Sequence, residues 1–106
     1  MAQATREERM ETYVIVRRNG WQSAEEFRVA AERSSAVGDG MPDDVAWIRS
    51  YVLEECDGSV GTVCVYQASS PEAIRIHAAA AELPVDEILR VAGTDVERPD
   101  PISVVR

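Results

Sequence analysis

Apolar and polar positions along this chain switch between a period of two and a period near 3.6, and the switches mark its elements. Residues 12–17 (Thr-Tyr-Val-Ile-Val-Arg) are mostly β-branched or aromatic, which predicts a strand. Arg18-Asn19-Gly20 reads as a turn. Ser23-Ala24-Glu25-Glu26 has capping-box spacing, with Ser23 as N-cap and Glu26 three residues on. Phe27, Ala30, Ala31 and Ser34 follow at helical spacing, and Gly38 or Gly40 stops that helix. Residues 45–54 predict a second strand and residues 62–68 a third, with Asp57-Gly58 supplying the tight turn between them. A second helix starts at Ser69 or Ser70, with Pro71 in its first turn, and ends at Leu83-Pro84. A short fourth strand is expected from Ile88 to Val91 or Ala92.

The order β-α-β-β-α-β is the ferredoxin-like α+β arrangement, a four-stranded antiparallel sheet with two helices on one face. Residues 1–10 are polar and expected to be a disordered tail, residues 11–95 form the domain, and residues 96–106, with Pro99 and Pro101, form an extended tail. Side chains alternate across a strand. The compact aliphatic rows, Val14 with Val16 and Val63 with Val65, are expected under the helices. Tyr13, Ile15, Trp47, Tyr51, Cys64 and Tyr66 then fall on the open face, as a ligand pocket or a dimer face. A face that apolar is rarely left to water. The expected partner is a second copy joined through the open sheet face, giving a dimeric α+β barrel. The alternative is that these aromatics are core.

Charge narrows the function. The formal net charge is −8, and all 11 basic residues are arginines scattered along the chain. The basic footprint of a nucleic-acid binder is missing, so no nucleic-acid partner is expected. No apolar run approaches the roughly 20 residues of a membrane span, and residues 1–9 carry charge where a signal peptide is apolar. The expectation is a cytoplasmic protein with no membrane partner, its two cysteines, Cys56 and Cys64, reduced.

Chemistry-bearing residues are few. His77 is the only histidine and borders the stripe Ile74, Ala78 and Ala81 on the second helix. Imidazole can carry protons or bind metal, but metal sites need several donors, and a boundary histidine capping a loop carbonyl is the plainer reading. Cys64 in a strand reads as a small buried hydrophobe. Cys56, beside Glu54, Glu55 and Asp57, lacks the cations that activate a thiol. Nucleophilic catalysis is therefore not supported, and the expected function is non-catalytic. Asp43, Asp44, Glu54, Glu55 and Asp57 can bind a divalent cation through oxygen or simply be solvated. Arg49, Arg75 and Arg90 can hold an anion or form surface ion pairs.

Three segments carry a resemblance: Tyr13-Val14-Ile15-Val16-Arg17, Trp47-Ile48-Arg49-Ser50-Tyr51-Val52 and Cys64-Val65-Tyr66-Gln67-Ala68. Ser70-Pro71-Glu72-Ala73-Ile74-Arg75-Ile76-His77-Ala78, followed by Leu83-Pro84-Val85-Asp86-Glu87-Ile88, carries it most closely. Residues 10–91 resemble a family of small bacterial proteins that includes a nickel-binding actinobacterial representative. The resemblance implies a ferredoxin-like fold, a homodimer, and binding of nickel or another divalent transition metal. It makes His77 the leading ligand, with Glu72, Glu82, Asp86 or a second subunit's carboxylate as further donors. Nickel accepts imidazole and carboxylate. With one histidine in the chain, a tight site must draw donors across an interface. Two other functions fit the residues. One is a small-molecule binding protein or cofactor-free enzyme, with Trp47, Tyr51, Cys64 and Tyr66 lining a pocket and His77 or Arg49 supplying polarity. The other is a purely structural interaction module.

Overall fold

The long first strand, β1 (Glu11–Trp21), organises the sheet, because it is paired on both sides. The computed structural model describes residues 5–102 of the 106-residue chain. A short helix, α1 (Arg6–Arg9), precedes β1, and Met10 is buried; residues 1–4 and 103–106 of the two expected tails lie outside the described residues. Then come α2 (Ala24–Asp39), β2 (Val45–Glu54), β3 (Val60–Ala68), α3 (Pro71–Ala81) and β4 (Glu87–Arg90). The strand order is β2-β3-β1-β4 and every pairing is antiparallel. This is the ferredoxin-like β-α-β-β-α-β fold.

Both long helices begin where the sequence places them. The Ser23 hydroxyl accepts the Glu26 N–H at 3.2 Å, while the Glu26 carboxylate accepts the Gln22 N–H at 2.7 Å. Ser70 caps α3 by accepting the Ala73 N–H at 3.1 Å, with Pro71 behind it where a missing N–H does no harm. Past α3, Glu82 takes a left-handed conformation with φ 58°.

β1 runs straight through Arg18-Asn19-Gly20, which reads as a turn in sequence. The register shifts between Arg17 and Trp21, and Asn19 has φ 49°. The Glu55 carboxylate holds this irregularity by accepting the Asn19 N–H at 2.7 Å and pairing with Arg18 at 2.8 Å. Gly61 lies opposite. A Cβ there would sit 2.6 Å from Glu55 Oε2 and 2.7 Å from the Arg17 carbonyl oxygen.

The two faces of the sheet are the reverse of the expectation. Tyr13, Ile15, Cys64 and Tyr66 are buried beneath the helices with Arg17, Thr62 and Ala68, while Val14, Val16, Val63 and Val65 lie half-buried on the open face. The physical reason lies in the helices. α3 presents Ala73, Ala78 and Ala81 to the sheet, and large rings fill the space such small side chains leave. Valine favours strands on either face, so alternation fixes the rows but not their side.

β2 adds a second correction. Its register shifts between Trp47 and Arg49, so Ile48 is an extra residue. Trp47 pairs with Tyr66 on the helix side, whereas Tyr51 pairs with Val63 on the open face. The two aromatics share one row in sequence and end on opposite faces. The chain beyond β4 then crosses the open face to reach β2. There the Tyr51 hydroxyl donates to Asp100 at 2.8 Å, and Arg49 pairs with Asp100 at 3.4 Å.

Candidate functional site

On α3, Ile74, His77, Ala78 and Ala81 recur at i, i+3, i+4 and i+7, and all four are buried. His77 is thus part of the stripe, with 2% of its surface exposed. Its Nε2 lies 3.1 Å from the Ser34 carbonyl oxygen of α2, and its ring centre is 5.6 Å from that of Tyr66. Burial lowers its pKa from the ordinary 6.5, the nearby charge of Arg17 lowers it further, and the Ser34 carbonyl opposes them.

Ser34 ties this group to the sheet, its Oγ lying 3.1 Å from the Tyr66 hydroxyl. Burial raises the Tyr66 pKa, and the bond to Ser34 opposes that shift. Trp47 stacks on Tyr66 with ring centres 6.2 Å apart and planes 11° from parallel. From Trp47 a chain of hydrogen bonds runs inward. The indole Nε1–H donates to Ser50 Oγ at 2.8 Å, Ser50 donates to Cys64 Sγ at 3.0 Å, and Cys64 donates to Thr62 Oγ1 at 3.4 Å.

Arg17 completes the group, and sequence reasoning passes over it. It is 1% exposed, and its Nη1 donates to the Pro84 carbonyl at 2.9 Å. Its Nη2 is buried with no hydrogen-bond partner. The one signal in sequence is its phase: Arg17 continues the row of Tyr13 and Ile15, and becomes a buried charge once that row is placed inside.

These residues border two spaces. A cleft of about 230 Å3 opens between α2 and β2, lined by Ser34, Gly38, Asp39, Trp47, Tyr66 and His77 among others. A much smaller cavity of about 10 Å3 adjoins it, sharing Ser34, Trp47 and Tyr66 and reaching Arg17, Ser50 and Cys64. Of the expected pocket residues, Trp47, Cys64 and Tyr66 come together here. Tyr51 does not, and Tyr13 belongs to the apolar core beside Ile15 and Ile74.

The expected metal donors are spread apart. Glu72 is exposed in the first turn of α3, and Asp86 accepts the Arg18 N–H at 2.6 Å. Glu82 caps α3 and lies 3.7 Å from Arg33. Among the described residues no three His, Cys, Asp or Glu side chains are grouped to hold an ion. Both cysteines are free, Cys56 exposed and Cys64 buried. Arg90 pairs with Glu11 at 2.7 Å, an ordinary surface contact.

Comparison with solved structures finds a similar fold in the crystal structure of SCO4226 from Streptomyces coelicolor A3(2). The TM-score is 0.65, the identity is 19%, and the match covers 79% of this chain and 99% of that one. A likeness at that identity speaks to fold alone. Comparison with curated proteins found no match. The model of the family described as nickel responsive protein SCO4226-like matches residues 13–91, from the first residues of β1 to the end of β4. That span holds the sheet, both long helices and every residue of the cleft, and the chain belongs to the nickel responsive protein SCO4226-like family.

Proposed function

We propose that this chain is a non-catalytic binding protein of a nickel response, working as a homodimer through its open sheet face. Family membership over residues 13–91 carries the nickel part of this reading. The dimer rests on the open face itself, where Tyr51 and Leu89 are exposed beside the half-buried Val14, Val16, Val63 and Val65. These residues take the place of the aromatic row expected from sequence.

A dimer of that kind sets a geometric condition on the metal. His77 lies on the helix side of the sheet, so a partner docked on the open face brings no donor to it. Among the described residues, His77 and the Asp39 carboxylate line one space, the α2–β2 cleft. We place nickel binding there, weak because two protein donors leave most of the ion's positions to water. Glu72 and Asp86 are then spectators.

Calorimetric titration of nickel into tag-free, metal-stripped protein tests this, beside His77→Ala and Asp39→Asn. Weak saturable binding, lost in His77→Ala and reduced in Asp39→Asn, is expected. Equal binding in all three proteins removes the cleft as the site and returns the question to exposed carboxylates. The cleft itself favours a second reading, a small polar ligand, since hydroxyl, indole and imidazole groups face one space. Native mass spectrometry of freshly purified protein separates the two readings by the mass retained.

A further inference from the structure

The Arg17 guanidinium is a buried cation beside the Tyr66 hydroxyl, with one hydrogen bond on Nη1, to the Pro84 carbonyl, and none on Nη2. A guanidinium carries five N–H donors and cannot be neutralised by losing a proton. A charge held in that way is costly unless an opposite charge stands beside it. No Asp or Glu lines the cavity next to Arg17, among the described residues. Its lining is mostly apolar, with Trp21, Phe27, Ala31 and Leu83, and the donors of Trp47, Ser50 and Cys64 are already engaged with one another and with Thr62, which leaves the Ser34–Tyr66 pair beside Arg17. Ser34 and Tyr66 share one hydrogen bond between two hydroxyls, so one of the two O–H groups remains free to donate elsewhere.

The space is small and specific. At about 10 Å3 it has room for one water-sized body. A water there accepts hydrogen bonds from Nη2 but leaves the charge uncompensated. A halide, or one oxygen of a carboxylate, does both. The neighbouring cleft of about 230 Å3 shares Ser34, Trp47 and Tyr66 with the cavity, and can hold the rest of a small organic acid. Trp47, stacked on Tyr66 and 38% exposed, lines both spaces.

We propose that this cavity binds a monovalent anion, a halide or the carboxylate of a small organic acid, against the Nη2 edge of Arg17 and the free hydroxyl of the Ser34–Tyr66 pair. This site does not depend on the nickel reading: Arg17, Ser50 and Cys64 line the cavity and not the cleft that holds His77 and Asp39, and the bromide arm of the test reports on the cavity without occupying the cleft.

The test titrates the full chain with sodium formate, acetate and bromide, following tryptophan fluorescence, since Trp21 and Trp47 both line the cavity. Ionic strength is balanced with sulfate, which is too large and too highly charged for the space. A crystal soaked in bromide is collected in parallel for anomalous scattering. Saturable responses are expected, with affinity about tenfold weaker in the double variant Ser34→Ala/Tyr66→Phe, the worth of one charge-assisted hydrogen bond. Arg17→Gln is expected to abolish the response. If that variant fails to fold, the double variant Ser34→Ala/Tyr66→Phe carries the test. A response to formate and acetate without bromide assigns the site to organic acids, and the reverse assigns it to halides. No saturable response, with only water beside Nη2 in the crystal, overturns the proposal. So does an equal response in wild type and the double variant Ser34→Ala/Tyr66→Phe, which removes both hydroxyls.

Discussion

His77 shows how burial sets the chemistry of a single residue. Its folded pKa is depressed below 6.5, so on acidification the unfolded chain takes up a proton that the native protein resists. The stability associated with a neutral His77 is complete above pH 6.5 and is lost as pH falls through the depressed folded value. Urea unfolding at pH 7.5 and 5.5 is expected to show this loss in wild type and a smaller one in His77→Gln, which keeps a polar group near Ser34. A similar loss in both proteins assigns the slope to other groups. Glu55 and Asp57 also have lowered pKa values, Glu55 chiefly through its hydrogen bond from Arg18 and Asp57 chiefly through its hydrogen bond from the Ser59 side chain. Both titrate below the range of this test, because lowering a carboxylate moves it further from neutrality. At this scale the sequence marks His77 as worth attention and marks Arg17 only through its phase with Tyr13 and Ile15. An arginine in a strand normally points to water, and only the row it shares with Tyr13 and Ile15 carries it inward.

Helix ends were legible residue by residue, because a cap is made by neighbours in sequence. Ser70→Ala is expected to cost about 1 kcal/mol, the usual worth of such a cap, measured as a lower denaturant midpoint. At the other end of α3, Glu82 holds φ 58°, a conformation glycine adopts without strain. Glu82→Gly is expected to stabilise the protein by about 0.5–1 kcal/mol. Its exposed contact with Arg33, at 3.7 Å, is too weak to reverse the sign. A drop in midpoint would show that this pair matters more than its exposure implies. Strand irregularities were not legible. The bulge at Ile48 exists only in relation to β3 and nothing local marks it, while Asn19-Gly20 marks the irregularity between Arg17 and Trp21 but reads as a turn rather than a bulge. Their effect is large, since one extra residue reverses the facing of everything after it. That is why Trp47 joins the cleft and Tyr51 meets Asp100 on the far side.

At the scale of the whole molecule, the sheet separates two surfaces with different work. The helix side holds the polar cleft and the buried Arg17, and the open side carries the valine rows, Tyr51 and Leu89. The proposed dimer predicts that Val65→Glu or Leu89→Glu gives a folded monomer in sedimentation velocity, with nickel and anion responses at the cleft retained. Loss of those responses together with the dimer would mean that the partner shapes the cleft after all. Gly61→Ala, by contrast, is expected to destabilise without changing assembly, because its Cβ meets backbone as well as Glu55.

The order of strands and helices, both N-caps, the turn at Asp57-Gly58 and the family resemblance were decided by the sequence. Each depends on local spacing or on a run of neighbouring residues. Which row of each strand faces the helices, where the register slips, and which side chains meet in the cleft were decided by the tertiary structure. Those depend on the volume the alanine face of α3 leaves to be filled, and on pairing between strands far apart in the chain. The alternation of a strand names two faces and cannot say which one is inside.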